Sequence, residues 1–404
     1  MMTPNPVPST ASGPRAIPKS VWALGFVSMF MDISSEIVHA LLPIYMATVL
    51  GATALQVGLI EGIAEATAAI TKVFSGAISD RFGKRKLLAV IGYGLGALTK
   101  PVFPLATGMG WLVGARFVDR VGKGIRGAPR DALVADVTPP ELRGAAYGLR
   151  QTLDTIGAFT GPLLAMALMW WTANNYQRVF WFAVLPAFIA VAILVVFVKE
   201  PERAPVAAAA QPRRFPLQRA EMARLGGAYW WVVAVGVVMT LARFSEAFLV
   251  LRAVDAGLPA MWAPLVLVVM GVAYALSAYP AGALSDRLPR HQVLAAGMVL
   301  LVLADLALAF LPGLWGLALG AALWGLHMGC TQGLLNAMVA DTVPADLRGT
   351  AFGVFHLVTG IALLLASVIA GALWDSLGHQ GTFMAGAVFA GLATLGFGLK
   401  RKLP

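Results

Sequence analysis

Long apolar stretches recur along almost the whole chain, separated by short polar connections. Each is long enough for an α-helix to cross a bilayer, which takes about 20 residues, whereas a membrane-spanning strand would alternate over about ten. The pattern therefore predicts an all-α polytopic membrane protein with twelve transmembrane helices. The predicted spans are 21–49, 56–79, 87–106, 110–136, 145–170, 178–198, 228–251, 261–285, 293–311, 314–340, 349–373 and 381–399.

The composition supports this fold class. Of the 404 residues, 59% are hydrophobic and 12% are charged, against roughly 45–50% and about 25% in soluble domains. This composition excludes a disordered chain, a coiled coil and a nucleic-acid-binding domain, although the net charge is +10. The single cysteine, Cys330, excludes a disulfide framework or a cysteine-based metal cluster. We expect neither a cofactor nor a metal.

Basic residues fall mainly on the connections that share a side with the two termini. On the other side we find only Arg178 and Arg252. Because basic loops stay on the cytoplasmic side, both termini are predicted to be cytoplasmic, with the chain in the cell inner membrane as a multi-pass protein.

The polar segments divide the chain into four parts. Residues 1–19 are rich in Pro, Ser and Thr and predict a disordered cytoplasmic tail. A polar stretch near the midpoint predicts a cytoplasmic linker at 199–226. On either side of it we expect a six-helix bundle, at 20–198 and at 227–404.

The two halves also resemble each other in sequence. GAISDRFGKRK at 76–86 matches GALSDRLPRHQ at 282–292, and ADVTPPELRGAAYG at 135–148 matches ADTVPADLRGTAFG at 340–353. The offsets are nearly equal, which indicates two homologous bundles related by an axis along the membrane normal. Such repeats predict a substrate cavity near the bilayer midplane, between the halves.

The first of these repeated segments carries a family resemblance. The run from Gly76 through Asp80 and Arg81 to Gly83 resembles the signature between helices 2 and 3 of the major facilitator superfamily. The whole chain resembles a bacterial member of that superfamily, similar to drug or metabolite:proton antiporters. The resemblance implies two six-helix bundles, alternating access and a gating role for these four residues.

Two further segments bear on gating. Arg130 and Asp131, at the end of predicted helix 4, are placed to complete a charge network with Asp80 that latches one conformation. If they have no such role, these charges only anchor the topology.

Predicted helix 5 contains Gly157, Gly161 and Pro162, which is similar to the antiporter signature of drug-efflux members. The sequence departs from that signature at its closing glycine pair, where Ala165 and Met166 stand. These residues predict close helix packing with a local bend, either for gating or for packing alone.

Ionisable side chains inside the predicted spans are the main functional signal, because each is costly in a membrane unless it is paired or solvated. Asp32, Glu36 and His39 of helix 1 are spaced by four and three, so they share one helical face. We expect Asp32 or Glu36 to couple protons, through a pairing with Arg116 or Arg120 of helix 4 that breaks between conformations. The alternative is a purely structural pair.

The halves differ in the chemistry of their spans. The charged stripe of helix 4 corresponds to apolar and aromatic residues in helix 10, so the N-terminal half is predicted to handle ions and the C-terminal half to supply much of the substrate wall. In the structural alternatives, Arg243 and Glu246 form an ion pair with each other, and His327 and His356 are core histidines whose hydrogen bonds are made within the protein. The candidate substrate-binding residues are His39, Glu65, Arg243, Glu246, Trp324, His327, Phe355 and His356.

No common catalytic or ATP-binding motif occurs in the sequence, so the protein is predicted not to be an enzyme and to draw energy from a gradient. The leading hypothesis is efflux of a small molecule by proton antiport. An importer of an organic anion, such as a carboxylate metabolite or siderophore, is the second, with Arg116, Arg120 and Arg243 as ligands. The third is a non-transporting membrane receptor or scaffold. The expected partners are a small-molecule substrate, protons and membrane lipid, and no nucleic acid. We expect the protein to be a monomer.

Overall fold

The computed structural model describes residues 17–82, 84–139, 142–200, 222–285, 287–344 and 347–399, and all regular elements in these ranges are helices. The predicted all-α membrane fold is confirmed. The helices are α1 (Lys19–Thr48), α2 (Ala54–Phe82), α3 (Arg85–Leu105, interrupted at Pro101), α4 (Met109–Asp136), α5 (Arg143–Trp171), α6 (Tyr176–Phe197), α7 (Gly227–Asp255, broken after Ala242), α8 (Ala260–Ser285), α9 (Arg290–Phe310), α10 (Gly313–Asp341) and a long element, Arg348–Leu399.

The long element turns back at Gly378, whose φ of 72° is a left-handed conformation that glycine adopts without strain. We call its two arms α11 (348–377) and α12 (379–399). Among the described residues, nine stretches are long and apolar enough to cross a membrane, and Thr350–Leu395 covers both arms. Neither α2 nor α4 meets that test, because charged side chains lie along their middle.

The helices pack in a pattern that repeats after six helices. In the first half α1 packs on α5, α2 on α4 and α3 on both α4 and α6. In the second half α7 packs on α11, α8 on α10 and α9 on both α10 and α12. Contacts between the halves involve the corresponding helices, with α2 packed extensively on α11 and α5 packed only lightly on α8. This is the packing that the sequence repeat predicts, while the exact division into two bundles stays a prediction.

Large parts of the predicted tail and linker lie outside the described residues, at 1–16 and 201–221.

The two ends of the helical bundle are named by the helix connections that lie there. We call the end where α1 leads into α2 the outer end, and the opposite end, where α1 and α7 begin, the inner end. The inner end is the side predicted to be cytoplasmic.

Helix α2 lies very close to α11 towards the outer end. A Cβ atom on Gly58 would collide with the carbonyl oxygen of Ser367, and one on Gly371 would lie 2.6 Å from the Cα atom of Leu55. Such small residues let two membrane helices approach closely enough for extensive van der Waals contact.

A carboxylate closes the same interface at its outer edge. The backbone N–H groups of Ala54 and Leu55 donate to the two carboxylate oxygens of Asp375 over 2.9 and 3.0 Å. A negative side chain from α11 therefore caps the N-terminus of α2, where the helix dipole favours negative charge. Nearby, Ala40 and Ile44 of α1 join the hydrophobic core of the second half. The halves are thus joined at the outer end.

Replacing this cap predicts a shift in conformation. In Asp375→Ala, two charge-assisted hydrogen bonds between the halves are lost, which is worth about 1.5–3 kcal/mol. A cysteine at Ile44, in a Cys330→Ser background, is expected to react at least tenfold faster with a membrane-impermeant maleimide added at the outer face. Ser376→Ala is the control, since the described hydrogen bonds of the Ser376 hydroxyl go to the carbonyl oxygens of Ala372 and Leu373 in its own helix. Equal labelling rates in Asp375→Ala and the parent protein would show that the cap does not hold this end closed.

Candidate functional site

A cavity of about 820 Å³ lies between the halves. Its wall is formed by α1, α2, α4 and α5 on one side and by α7, α10 and α11 on the other, and it extends from the middle of these helices towards the inner end. Ionisable side chains are concentrated on the first wall, as predicted. The ionisable lining residues are Asp32, Glu36, Glu65, Lys72, Lys123, Arg126, Arg130, Asp131, Asp154, Arg243, His327 and His356.

Two ion pairs join α2 to α4 behind and beside the cavity. Arg116 donates to Glu61 over 2.6 Å, with both side chains almost fully buried. Arg120 lies 3.1 Å from Glu65 one turn further along. Each helix carries its two charges four residues apart, so the pairs form in register. The equal spacing is visible in the sequence and could have identified Glu61, which is not among the predicted site residues.

These pairs correct one expectation about helix 4. Arg116 and Arg120 were expected to pair with Asp32 or Glu36, but in this structure they are taken up by carboxylates of α2, since α2 packs directly on α4. Both arginines are buried and neither lines the cavity.

Asp32 and Glu36 do face the cavity, as a proton-coupling role requires. Asp32 has Arg126 of α4 at 3.9 Å. Glu36 lies 3.3 Å from Nδ1 of His39, whose Nε2 lies 3.7 Å from the carboxylate of Glu61. His39 therefore connects a cavity carboxylate to a buried one and is not itself part of the cavity wall.

A second buried pair stabilises the first half. Lys100 Nζ donates to Asp119 over 3.0 Å and to the hydroxyl of Ser35 over 3.2 Å, and both charged side chains are at most 3% exposed. Lys100 stands just before the break at Pro101, where sequence periodicity gives no partner.

The inner part of the cavity wall holds a charge network between α4 and α5. Arg130 lies 3.1 Å from Asp131, and Arg150 lies 2.5 Å from Asp154. The two pairs are cross-linked, because Arg130 also approaches Asp154 at 3.9 Å and Arg150 approaches Asp131 at 3.7 Å. Arg130 and Asp131 thus form a charge network with Arg150 and Asp154 of α5.

The expected link from this network to Asp80 involves a part of the chain outside the described residues. The side chains of Gly76, Asp80 and Arg81 and the whole of Gly83 lie outside the described residues. Their gating role stays a prediction.

The glycines of α5 serve close packing against α1. A Cβ atom on Gly157 would lie 2.6 Å from the carbonyl oxygen of Met29, and one on Gly161 would collide with the Cβ atom of Glu36. Pro162 follows within the helix. The small residues therefore set how closely α5 approaches the face of α1 that carries Glu36.

On the opposite wall, α7 is broken between Ala242 and Ala247. The break removes the one-turn relation between Arg243 and Glu246, both within the described part of the chain, and no ion pair forms between them. Arg243 instead lines the cavity. The structural alternative for these two residues is therefore wrong, because it assumed a continuous helix.

The aromatic wall is smaller than expected. Trp324 is fully buried, with its ring 5.4 Å from that of Phe244, and it does not line the cavity. His327 and His356 do line it, together with Phe355. Nδ1 of His327 lies 2.8 Å from the carbonyl oxygen of Gly297, so only the remainder of its ring is free to face a ligand.

Comparison with known proteins assigns this architecture to a family. The sequence profile of the Major Facilitator Superfamily matches residues 24–273 and 247–403. The chain belongs to the major facilitator superfamily. Members are transporters, so this protein is a multi-pass membrane transporter of small molecules and not an enzyme.

Relatives and solved structures agree with the superfamily. An uncharacterized MFS-type transporter of Methanocaldococcus jannaschii is 32% identical over 388 residues, 93% of each chain. The multidrug resistance protein MdtH of Photorhabdus laumondii is 31% identical over 173 residues, 43% of this chain and 42% of that one. The nucleoside transporter NupG superimposes with a TM-score of 0.74 at 14% identity, covering 96% of this chain and all of that one. The human organic anion transporter MFSD10 gives 0.66 at 17%, covering 94% and 99%.

One buried carboxyl group stands apart from all these pairs. Asp305 of α9 is fully buried, and neither of its oxygens has a hydrogen-bond partner among the described residues. It lies against Gly386, where a Cβ atom would collide with it. Asp305 lies within the predicted span 293–311, but the sequence alone does not show whether a carboxyl group has a partner.

The paired and unpaired carboxylates predict opposite effects on stability. Glu61→Gln leaves Arg116 buried without a counter-charge, which costs about 3–5 kcal/mol. The double variant Glu61→Gln/Arg116→Met should recover part of that loss. Asp305→Asn, which removes a carboxyl group without a charged partner, should change stability little or raise it. Thermal unfolding of the purified variants in one detergent measures all three. Equal losses for Glu61→Gln and Asp305→Asn would contradict this account of the buried charges.

Proposed function

We propose that this superfamily member is a secondary transporter that couples protons to the movement of a small molecule by alternating access. The observation that carries the proposal is the position of Asp32 and Glu36, two carboxylates in the wall of a cavity between two halves that meet at its outer end. The cell inner membrane, cytoplasmic termini and a monomeric state belong to the same proposal.

The charges around the two carboxylates support a role in coupling. Asp32 interacts with the charges of Arg126 and Lys123, and Glu36 with those of His39 and Lys123. A nearby cation favours the ionised form of a carboxylate, whereas loss of that cation in a dry site favours the protonated form. When the halves rock, the cavity opens to water or closes from it, and this change in hydration beside the cations would change the affinity of each carboxylate for a proton. In this proposal, that change links proton movement to the conformation.

Two directions of coupling have support. Export by antiport is favoured by the antiporter-like glycines of α5 and by the resemblance to proteins named for multidrug resistance. Import of an organic anion is favoured by Arg243, which lines the cavity without an ion-pair partner among the described residues. Arg116 and Arg120 no longer support the importer, since both are already paired.

A receptor or scaffold without transport is the least supported of the three hypotheses. The family assignment, a central cavity and titratable groups in its wall all fit a transporter, whereas a scaffold has no need for ionisable groups inside the membrane.

Transport across a pH gradient tests the proposal. The purified protein is screened by thermal shift against metabolites, siderophores and drugs, and the most stabilising compound is labelled and followed in proteoliposomes. Wild-type flux is expected to respond at least fivefold to an imposed pH gradient. Glu36→Gln and Asp32→Asn are expected to lose most of that response while still exchanging labelled for unlabelled compound.

Glu200→Gln is the matched control, because Glu200 lies outside the cavity and accepts a hydrogen bond from the backbone N–H of Arg85, which an amide can also do. Its flux should respond to pH like the wild type. A flux that ignores the gradient would overturn proton coupling, and stabilising compounds that never cross the membrane would overturn transport.

A further inference from the structure

We propose that the substrate of this cavity is a small organic anion carrying a carboxylate, held between Lys123 of the first half and Arg243 of the second, and that the proton moves together with it. The proposal rests on the proposed function and adds a substrate class and a direction of coupling to it. It follows from which cavity charges are paired and which are not.

Every carboxylate among the described residues of the cavity wall lies near a cation of the protein. Each lies between 2.5 and 3.9 Å from an arginine or histidine nitrogen. A cationic substrate would have to displace one of these protein cations, and it would meet further positive charge in doing so. The carboxylates of the wall are Asp32, Glu36, Glu65, Asp131 and Asp154.

Three cations of the cavity wall are different. Lys72, Lys123 and Arg243 line the cavity, and within the described part of the chain no carboxylate lies within ion-pair distance of them. Lys72 and Lys123 are exposed and Arg243 is half-buried. Glu246 interacts with the charge of Arg243 only from beyond ion-pair distance. The cavity therefore offers free donors for negative charge and, among its described lining residues, no free acceptor carboxylate.

The free cations come from both halves at a similar depth. Lys123 lies near the middle of α4, and Arg243 lies at the break near the middle of α7. An anion between them would contact both halves at once. Because charge-assisted hydrogen bonds are short and strong, such a ligand would draw the two walls together, which is what an occluded state requires.

The remaining groups suit an organic carboxylate. The side chain of Lys72 lies beside Gly127, since its Cε atom is 3.9 Å from where a Cβ atom on Gly127 would stand. The charge of Lys72 also acts on His356 across the cavity. The rings of Phe355 and His356 lie edge to face on the second wall, 5.7 Å apart. They offer an apolar surface beside the cationic groups, which matches a ligand with an anionic end and an apolar body.

The surroundings of Lys123 give the direction of coupling. Lys123 interacts with the negative charges of Asp32, Glu36 and Glu65, which partly cancel its field. A proton on Asp32 or Glu36 removes part of this cancellation, so the anion binds more tightly. By reciprocity the bound anion favours proton uptake. Proton and anion thus bind cooperatively, which produces co-transport, whereas exchange needs them to compete.

Other charges face the same carboxylates and belong in this balance. Around Asp32 they come from α4 and α5, and around Glu36 from α1, α4 and the break in α7. They are Arg126, Arg130 and Asp154 for Asp32, and His39, Arg120 and Glu246 for Glu36.

The test uses two matched sets of probes with the purified full-length protein in detergent. The first set is phenylacetate, phenylacetamide and phenethylamine, and the second is glutarate, glutaramide and pentane-1,5-diamine. At least one acid is expected to raise the melting temperature, while the amides and amines of equal size do not. Arg243→Gln and Lys123→Gln should each weaken binding of that acid about tenfold, the loss of one charged hydrogen bond.

Lys84→Gln is the control, since Lys84 is exposed and lies outside the cavity wall. It should bind the acid like the wild type. The acid should also bind more tightly at pH 6 than at pH 8, although the probe itself stays ionised, since carboxylic acids titrate near pH 4. Asp32→Asn should flatten that dependence, which separates this carboxylate from the histidines of the site.

The outcomes distinguish this proposal from the proposed function. Amines that stabilise the protein as well as the acids do, acids that never stabilise it, or unchanged affinity in both cation variants would overturn the anion site. If such amines are nevertheless transported in response to a pH gradient, the proposed function stands without it. Acids that bind as expected but never cross the membrane would leave the anion site and overturn the proposed function.

Discussion

The cost of placing charge inside a membrane helix governs the first half of this protein. Arg116 meets Glu61 and Lys100 meets Asp119, each pair almost wholly buried and each with a hydrogen bond of 2.6 to 3.0 Å. Breaking such a pair leaves one charge buried without a partner, so the pairs hold α4 in position against α2 and α3. Helix α4 can therefore span the membrane with several charges along its length.

This pairing decides which groups remain for function. Because Arg116 and Arg120 are used by α2, the carboxylates of α1 that face the cavity have weaker partners, with Arg126 only at 3.9 Å from Asp32. Weakly paired carboxylates beside water respond to small movements of nearby cations. The rigid pairs behind the wall thus leave Asp32 and Glu36 as the carboxylates of α1 that face the cavity.

Sequence reasoning reached the fold because hydrophobic length and the internal repeat both report on the membrane and on packing. It also selected Asp32, Glu36 and Arg243 as candidate site residues, since intramembrane charge needs solvent or a partner, and all three line the cavity. It failed where the answer depends on packing between helices or on a backbone break. Identifying the partner of Arg116 requires knowing that α2 packs on α4. Placing Trp324 outside the cavity requires knowing that its ring packs against that of Phe244.

The break in α7 is the feature that makes the two walls chemically complementary. In a continuous helix, Arg243 would stand one turn from Glu246 and could be neutralised by it. The interruption from Ala242 to Ala247 separates them, so the second half presents one unsatisfied cation to a first half whose described cavity carboxylates all lie near a cation of the protein. A ligand that satisfies Arg243 must then bring its own negative charge, and it can reach Lys123 only by bridging the two halves.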